Sequence, residues 1–530
     1  MFLSFEIKPV VSQANLTNII NPTFLKRVQD KFWKKCLSNR YLWLMAFILS
    51  IAVAIRIIFF IGFGLGDDSI YAGVVRNIMH GGFKTIDLNY GMNYRIGLYL
   101  PILLFFSMFG ISDFSYVLYP LLASLGSIIV IYFIGKELFG KATGVIAAIL
   151  LALCPFDVVF ASTLTIDILT SFFVALSVLL FLKGDSCTGK KYILFFVLSS
   201  IFLFYSYLIK IPSYFILCCL VIISFTKIKS FKRHLVFYGS TLMLLLLSFV
   251  ADHFFSGHFL NCLRTELTQC AQPSWYVRML LDYPNWMFER MHDGSLLFGY
   301  YFYLTGIALI CISITRLKQA LPIFIWLFAL FLIMEFIPMK FELPYKPSPR
   351  FPRYTHAFLI PSIVMLAAGF YELMKLKRTV FIAVLVTFLA SSIVEAYILY
   401  KIWKEPFTDV KEASKFLLTL PEKPIYSDYW LLDRFDFDAR YKKNHLIPWG
   451  LNGKSLQLDI IEKGDFAELE KAKNVYVVVG GSRAIHAGMP SVFNLGTFNP
   501  PNNWKLIKEI PKKITSYRKE TLKIFEVTGE

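Results

Sequence analysis

What most limits the folding of this chain is the recurrence of apolar stretches, each long enough to cross a bilayer. A hydrocarbon core about 30 Å thick needs roughly 20 helical residues at 1.5 Å rise. Runs of that kind recur through the first three quarters of the sequence, near 42–63, 115–134, 143–162, 165–183, 192–210, 212–226, 234–251, 297–315, 320–338, 356–374 and 379–400. Backbone groups in lipid must be satisfied within their own segment, so these runs fold as helices. With 56% hydrophobic and 17% charged residues, the chain is no ordinary soluble globule. About eleven transmembrane helices are expected.

The run from Ile96 to Gly110 contains Pro101 and is short for a crossing; it reads as an interfacial helix in the first outer loop. Charge decides the point, because short loops rich in Lys and Arg stay inside. With 96–110 out of the membrane, Lys26 to Arg40, Lys136 with Lys141, Lys183 with Lys190 and Lys191, Lys227 to Arg233, Arg316 with Lys318, and Lys375 to Arg378 all fall on one side. The sequence thus predicts a multi-pass plasma-membrane protein with its N-terminus cytoplasmic and its C-terminal domain extracytoplasmic. Its parts are a cytoplasmic extension over 1–40, a transmembrane domain over 41–403 and a soluble α/β domain over 404–530. Beyond Trp403, strands are expected at Pro424–Ser427, Asn474–Gly481 and Thr521–Thr528, with a helix over Asp409–Leu420.

This sidedness gathers the unusual polar residues at the outer face. The first span is followed by Gly66-Asp67-Asp68-Ser69-Ile70-Tyr71, with Arg76 beyond. Two adjacent acids beside a membrane are costly unless something uses them. The plain alternative is that Asp68 or Ser69 caps a short helix running towards Met79 and stopped by Gly81-Gly82. Arg95, Asp157, Asp167, Lys210, Arg350 and Arg353 fall at the same face, a set suited to an anionic substrate and a divalent metal. Snorkelling anchors are the other reading; Asp167 also suits a helix cap and Lys210 a helix C-terminus. Arg350 and Arg353 lie in a proline-rich loop that presents charges over a cavity or binds headgroups. His80 and His356 have no partners at metal-ligand spacing and read as structural.

The pair Asp67-Asp68 with Tyr71, Arg76, Met79 and Gly82 resembles the first outer loop of GT-C superfamily polyprenyl-phosphate-dependent glycosyltransferases, among them protein O-mannosyltransferases and the lipid A aminoarabinose transferase. Gly135-Lys136-Glu137-Leu138-Phe139-Gly140, Pro155 to Asp167, Lys210-Ile211-Pro212 and Pro352-Arg353-Tyr354 are similar to later segments of that family. The second acid is Asp68 where the family usually has Glu, and a Glu-Lys-Pro-Pro stretch is replaced by Asn93-Tyr94-Arg95-Ile96-Gly97. The resemblance implies a GT-C-like fold and an inverting transferase using a dolichyl or undecaprenyl phosphate sugar donor. The acceptor would be a protein, lipid or glycan, and a metal, Mg2+ or Mn2+, an option on Asp68.

Transfer from such a donor needs a base for the acceptor hydroxyl and cations for the departing phosphate. Asp67 is the expected base, with Asp68 as its partner, metal ligand or cap. Tyr71, Arg76, Arg95, Lys210, Arg350, Arg353 and Tyr354 are the expected substrate-binding residues, with Asp157 and Asp167 as secondary candidates. A non-catalytic polyprenyl-lipid-binding or transport protein is the rival reading. A net charge of +18 suits anionic membrane lipids, and nothing in the sequence suggests nucleic acid. Two further features stay open: a Cys262–Cys270 disulfide in the outer loop, and a cluster of Asp428, Trp430, Asp433, Arg434 and Asp436 suited either to an acceptor or to contact with the membrane core.

Overall fold

The computed structural model describes residues 40–64, 67–83, 91–227, 230–270, 282–288, 296–337, 352–426, 429–441, 474–479, 502–511 and 521–528. The chain divides into two compact units, 1–51 and 52–530. In chain order the helices begin with α1 (Arg40–Ile58), α2 (Asp67–Gly81), α3 (Ile96–Phe109), α4 (Asp113–Phe139) and α5 (Lys141–Ala152). Then come α6 (Pro155–Phe160), α7 (Ile166–Ser186), α8 (Lys191–Ile209), α9 (Ile216–Thr226) and α10 (Phe231–Ser256). The last are α11 (Asn261–Cys270), α12 (Asp282–Phe288), α13 (Tyr301–Phe336), α14 (Leu359–Leu376), α15 (Arg378–Leu417) and α16 (Tyr429–Asp438).

Among the described residues, eight helices are long and apolar enough to cross a membrane: α1, α4, α7, α8, α10, α13, α14 with its 3-10 lead-in from Pro352, and α15. The apolar run 143–162 is not one helix. Pro155 cannot continue the ladder and holds Cys154 extended (φ −64°, ψ 125°), so the run splits into α5 and α6. The run 212–226 begins instead as a 3-10 turn, Ile211–Phe215, after an extended Lys210. The runs 297–315 and 320–338 join as α13, broken at Arg316 (φ −144°, ψ 37°). Helix α3, at 14 residues, is about 21 Å long and too short to cross.

Helices α4 and α5 meet at Gly140, which caps both. A Cβ on Gly144 would stand 2.4 Å from the Tyr132 carbonyl oxygen, so only glycine lets the two backbones approach this closely. Several ion pairs join residues of the expected inner loops. Arg316 Nε lies 2.8 Å from Glu372 Oε1, which Lys375 also reaches at 3.2 Å, and Lys227 pairs with Asp185; all belong to the end assigned to the inner loops. None of these pairs involves a residue of the acidic loop.

Helix α15 runs unbroken through residue 403, the expected end of the transmembrane domain, to Leu417. Beyond it, β1 (Ile425–Tyr426), β2 (Val475–Val479), β3 (Trp504–Ile510) and β4 (Leu522–Val527) form a sheet of order β1-β2-β4-β3, parallel at β1–β2 and antiparallel elsewhere. Val410, Ala413 and Leu417 of α15 and Leu431 and Phe435 of α16 share a core with Tyr476, Val478 and Ile524. Strand β3 was not anticipated; a bulge between Leu506 and Lys508 breaks the alternation that marks a strand.

Candidate functional site

The acidic pair opens α2, as the capping alternative anticipated, but neither Asp68 nor Ser69 caps it. Both acids lie in the first helical turn, where negative charge complements the helix dipole. Their side chains diverge. Asp68 turns inward, 8% exposed, and its Oδ2 accepts from the Gly64 amide at 3.0 Å and the Leu164 amide at 3.4 Å. Burial lifts its carboxyl to about 7, against the pull of those two amides and of Arg353. Asp67 faces the other way, where Arg353 Nη2 donates to its Oδ2 at 2.5 Å.

From Asp67 an alternating chain of charges leads inward. Arg353, held on the 3-10 turn Pro352–Phe358, also brings Nε to 3.6 Å from Asp167 Oδ2. Asp167 Oδ1 accepts from Lys210 Nζ at 2.6 Å, and that ammonium sits 3.6 Å from the centre of the Tyr354 ring. Asp167 occupies the first turn of α7 and Lys210 follows the last turn of α8, so two helix ends of opposite polarity present the pair. The outer pair is the more exposed, 25% at Asp67 and 33% at Arg353, against 6% at Asp167 and 10% at Lys210.

The inner end of this chain lines a cavity of about 500 Å³. Asp167, Lys210 and Tyr354 supply its charge and aromatic polarity, and Val174, Phe249, Trp326 and Leu330 are among its apolar walls. Val174 lies seven residues along α7 from Asp167, about 10 Å deeper into the apolar layer. Such a space suits a ligand with an anionic head and a hydrocarbon tail.

Tyr71, fully buried, receives a hydrogen bond from Arg95, whose guanidinium lies 5.4 Å from the tyrosine ring. Arg95 is within electrostatic reach of Lys210 and Tyr354. Thus Asp67, Asp68, Tyr71, Arg95, Asp167, Lys210, Arg353 and Tyr354 gather in one region. Two expected residues do not join them. Arg76 pairs instead with Asp436 of α16 at 2.6 Å, because it lies on the face of α2 turned towards that helix. Asp157 is a core residue, 1% exposed, paired with Arg56 and accepting from Ser124 Oγ at 2.5 Å. Arg350, Asp428 and the side chains of Trp430 and Asp433 lie outside the described residues.

Sequence reasoning passed over Arg56, a lone guanidinium in the first apolar run whose cost in lipid signals a buried acid. It also missed Asp113, which Arg434 and Lys411 engage at 2.7 and 2.5 Å. His356 is indeed buried, yet its Nδ1 lies 2.8 Å from Ser171 Oγ and its Nε2 3.8 Å from Asp157 Oδ1. Cys262 and Cys270 lie on one helix, Asn261–Cys270; eight residues of helix rise about 12 Å, beyond a disulfide's Cα reach. As for a metal, Asp67 is engaged by Arg353 and Asp68 Oδ2 by two amides. Among the described residues no three His, Cys, Asp or Glu side chains gather, so this donor set does not fit Mg2+ or Mn2+.

Comparison with known proteins bears on this arrangement. The sequence model of the dolichyl-phosphate-mannose-protein mannosyltransferase family matches residues 97–251, a stretch that includes Asp167 and Lys210 but not the acidic pair. No curated protein sequence matches the chain significantly. Among solved structures, apo ArnT from Cupriavidus metallidurans superposes with a TM-score of 0.58 at 14% identity, covering 92% of this chain and 98% of that one. ArnT from the same organism bound to undecaprenyl phosphate gives 0.57 at 14% identity, covering 93% and 99%. The oligosaccharyltransferase AglB from Archaeoglobus fulgidus, in complex with an inhibitory peptide and a dolichol-phosphate, gives 0.52 at 14% identity, covering 84% and 70%. The chain therefore shares the GT-C fold of ArnT and AglB, and the resemblance read from its motifs holds at the level of fold.

Proposed function

We propose that this protein is an integral membrane glycosyltransferase that moves a sugar from a polyprenyl phosphate to a protein, lipid or glycan acceptor at the outer face of the plasma membrane. In this reading the N-terminal extension over 1–40 is cytoplasmic, 41–403 is the catalytic membrane domain, and 404–530 is an extracytoplasmic domain. The observation that carries it is the Asp67–Arg353–Asp167–Lys210 chain running from an accessible carboxylate to an apolar cavity.

The acceptor hydroxyl oxygen attacks the anomeric carbon as the bond from that carbon to the phosphate oxygen breaks, inverting the centre. The hydroxyl proton passes to Asp67, and the bonding electrons leave with the lipid phosphate. Lys210, Arg353 and Arg95 stabilise the charge that develops there. A donor phosphate competes with Asp67 for Arg353, so donor binding itself releases the base from its ion pair. Asp68, locked by two backbone amides, holds the first turn of α2 in place. The proposed steps run on protein side chains alone.

The test is sugar transfer by the full-length protein in liposomes with mannosyl phosphates of dolichol and undecaprenol. Asp67→Asn should lower kcat by about 100-fold or more, the usual scale for a general base, with donor binding retained. Equal rates remove Asp67 from the mechanism. Lipid phosphate binding without transfer from either donor favours a non-catalytic binding protein.

A further inference from the structure

The loop that precedes the acidic pair is held by residues from separate segments of the chain. Four successive amides, Ile61 to Gly64, each donate to a separate acceptor: Ser162 Oγ at 3.1 Å, the Ser162 carbonyl at 2.9 Å, Asp113 Oδ1 at 2.9 Å and Asp68 Oδ2 at 3.0 Å. Gly62 has φ +90°, and a Cβ there would lie 2.8 Å from Asp113, so the loop is folded tightly around that carboxylate. Asp113 opens α4 behind a Ser112 capping box and is thus fixed in place.

The other claims on Asp113 come from the C-terminal part of the chain. Arg434 of α16, 3% exposed, donates to Asp113 Oδ1 at 2.7 Å and Oδ2 at 3.3 Å, in the bidentate form specific to guanidinium. Asp438 clamps the far side of Arg434 at 2.5 and 2.9 Å, and Lys411 of α15 reaches Asp113 Oδ2 at 2.5 Å. Phe437 stacks on Phe63 at 4.5 Å and meets Tyr116 edge-on at 5.5 Å. The Tyr116 hydroxyl donates to the Asp68 carbonyl at 2.5 Å. Both routes end on the residue beside the proposed base. A helix required only to anchor the domain has no need to share one carboxylate oxygen with the amide of Phe63.

We infer that Arg434 is a positioning residue: through Asp113 and the 61–64 backbone it sets the geometry of the Asp67-Asp68 turn, so that docking of α16 prepares the acidic pair for transfer. This rests on the function proposed above, and it gives the C-terminal segment a part in the chemistry without contact with substrate. Arg434 acts through the loop, by way of Asp113 and the Phe63 carbonyl.

The experiment pairs hydrogen exchange with kinetics on the full-length protein. Arg434→Met should speed exchange across 59–64 by about tenfold, as expected for loss of a charged clamp on a local opening unit. The membrane helices away from the loop should be unchanged. With a lipid-phosphate sugar donor, kcat should fall by about tenfold while donor KM stays constant, and the loss should vanish in an Asp68→Asn background, the mark of coupling. Arg434→Lys, which keeps the charge and loses the fork, should lie between; with Phe437→Leu it carries the test should Arg434→Met not fold. Unchanged exchange at 59–64, or rate losses that simply add to those of Asp68→Asn, would overturn the inference. Faster exchange in a protein that transfers no sugar in its native form would instead sink the function and leave the clamp standing.

Discussion

Asp67 and Asp68 are neighbours in sequence with opposite surroundings, and that difference underlies the roles proposed for them. Asp68 carries a carboxyl raised from 3.8 to about 7 by burial, so its titration is linked to stability. Between about pH 4 and pH 7 the folded protein keeps a proton that the unfolded chain has released, so the folded state loses stability as pH rises through that window. The span of some three units corresponds to about 4 kcal/mol as an upper scale. Thermal unfolding in detergent at pH 5 and pH 7.5 should therefore show a lower midpoint at the higher pH, and Asp68→Asn should flatten the difference. A midpoint that rises with pH in both proteins would contradict the buried, proton-holding Asp68. The two acids were legible as a pair from residue type alone; which one faces the cations was not, because adjacent helical positions differ by about 100° around the axis.

At the scale of elements, the bundle tolerates charge where a partner arrives from another helix. Arg56 of α1 is fully buried, donates to Asp157, Ser124 Oγ and the Ala152 carbonyl, and so ties α1 to the α5–α6 break and to α4. Arg56→Met strands the Asp157 carboxylate and should cost about 3–5 kcal/mol, whereas Arg56→Met with Asp157→Leu should regain much of the loss. Denaturant or thermal unfolding of the two variants decides it; equal losses would mean that the pair contributes no mutual compensation. Most helices were readable from their apolar runs. The break at Arg316 falls between the runs 297–315 and 320–338 read from the sequence; the α5–α6 split was not read, since hydropathy averages over the few residues where Pro155 interrupts the ladder.

Across the whole molecule, sidedness is an inference from Lys and Arg placement; Arg316 and Lys375 converge on Glu372, while Asp67, Asp167, Lys210 and Arg353 form a separate chain. In a background with the native cysteines replaced, a cysteine at Asn77 should react with a membrane-impermeant thiol reagent from outside intact cells. One at Lys375 should react only after permeabilisation. The reverse pattern would place the acidic pair in the cytosol and end the proposed function.

Composition and periodicity determined by themselves that this is a helical membrane protein, where its apolar helices lie, and which polar residues are too costly to be idle, because the bilayer penalises every unsatisfied group. Only the tertiary structure decided which of those residues meet. Asp157 went to Arg56, Arg76 went to Asp436, and Asp113 with Arg434 became a strut beneath the acidic loop. Pairings between residues tens to hundreds of positions apart depend on how helices pack, which local sequence does not encode.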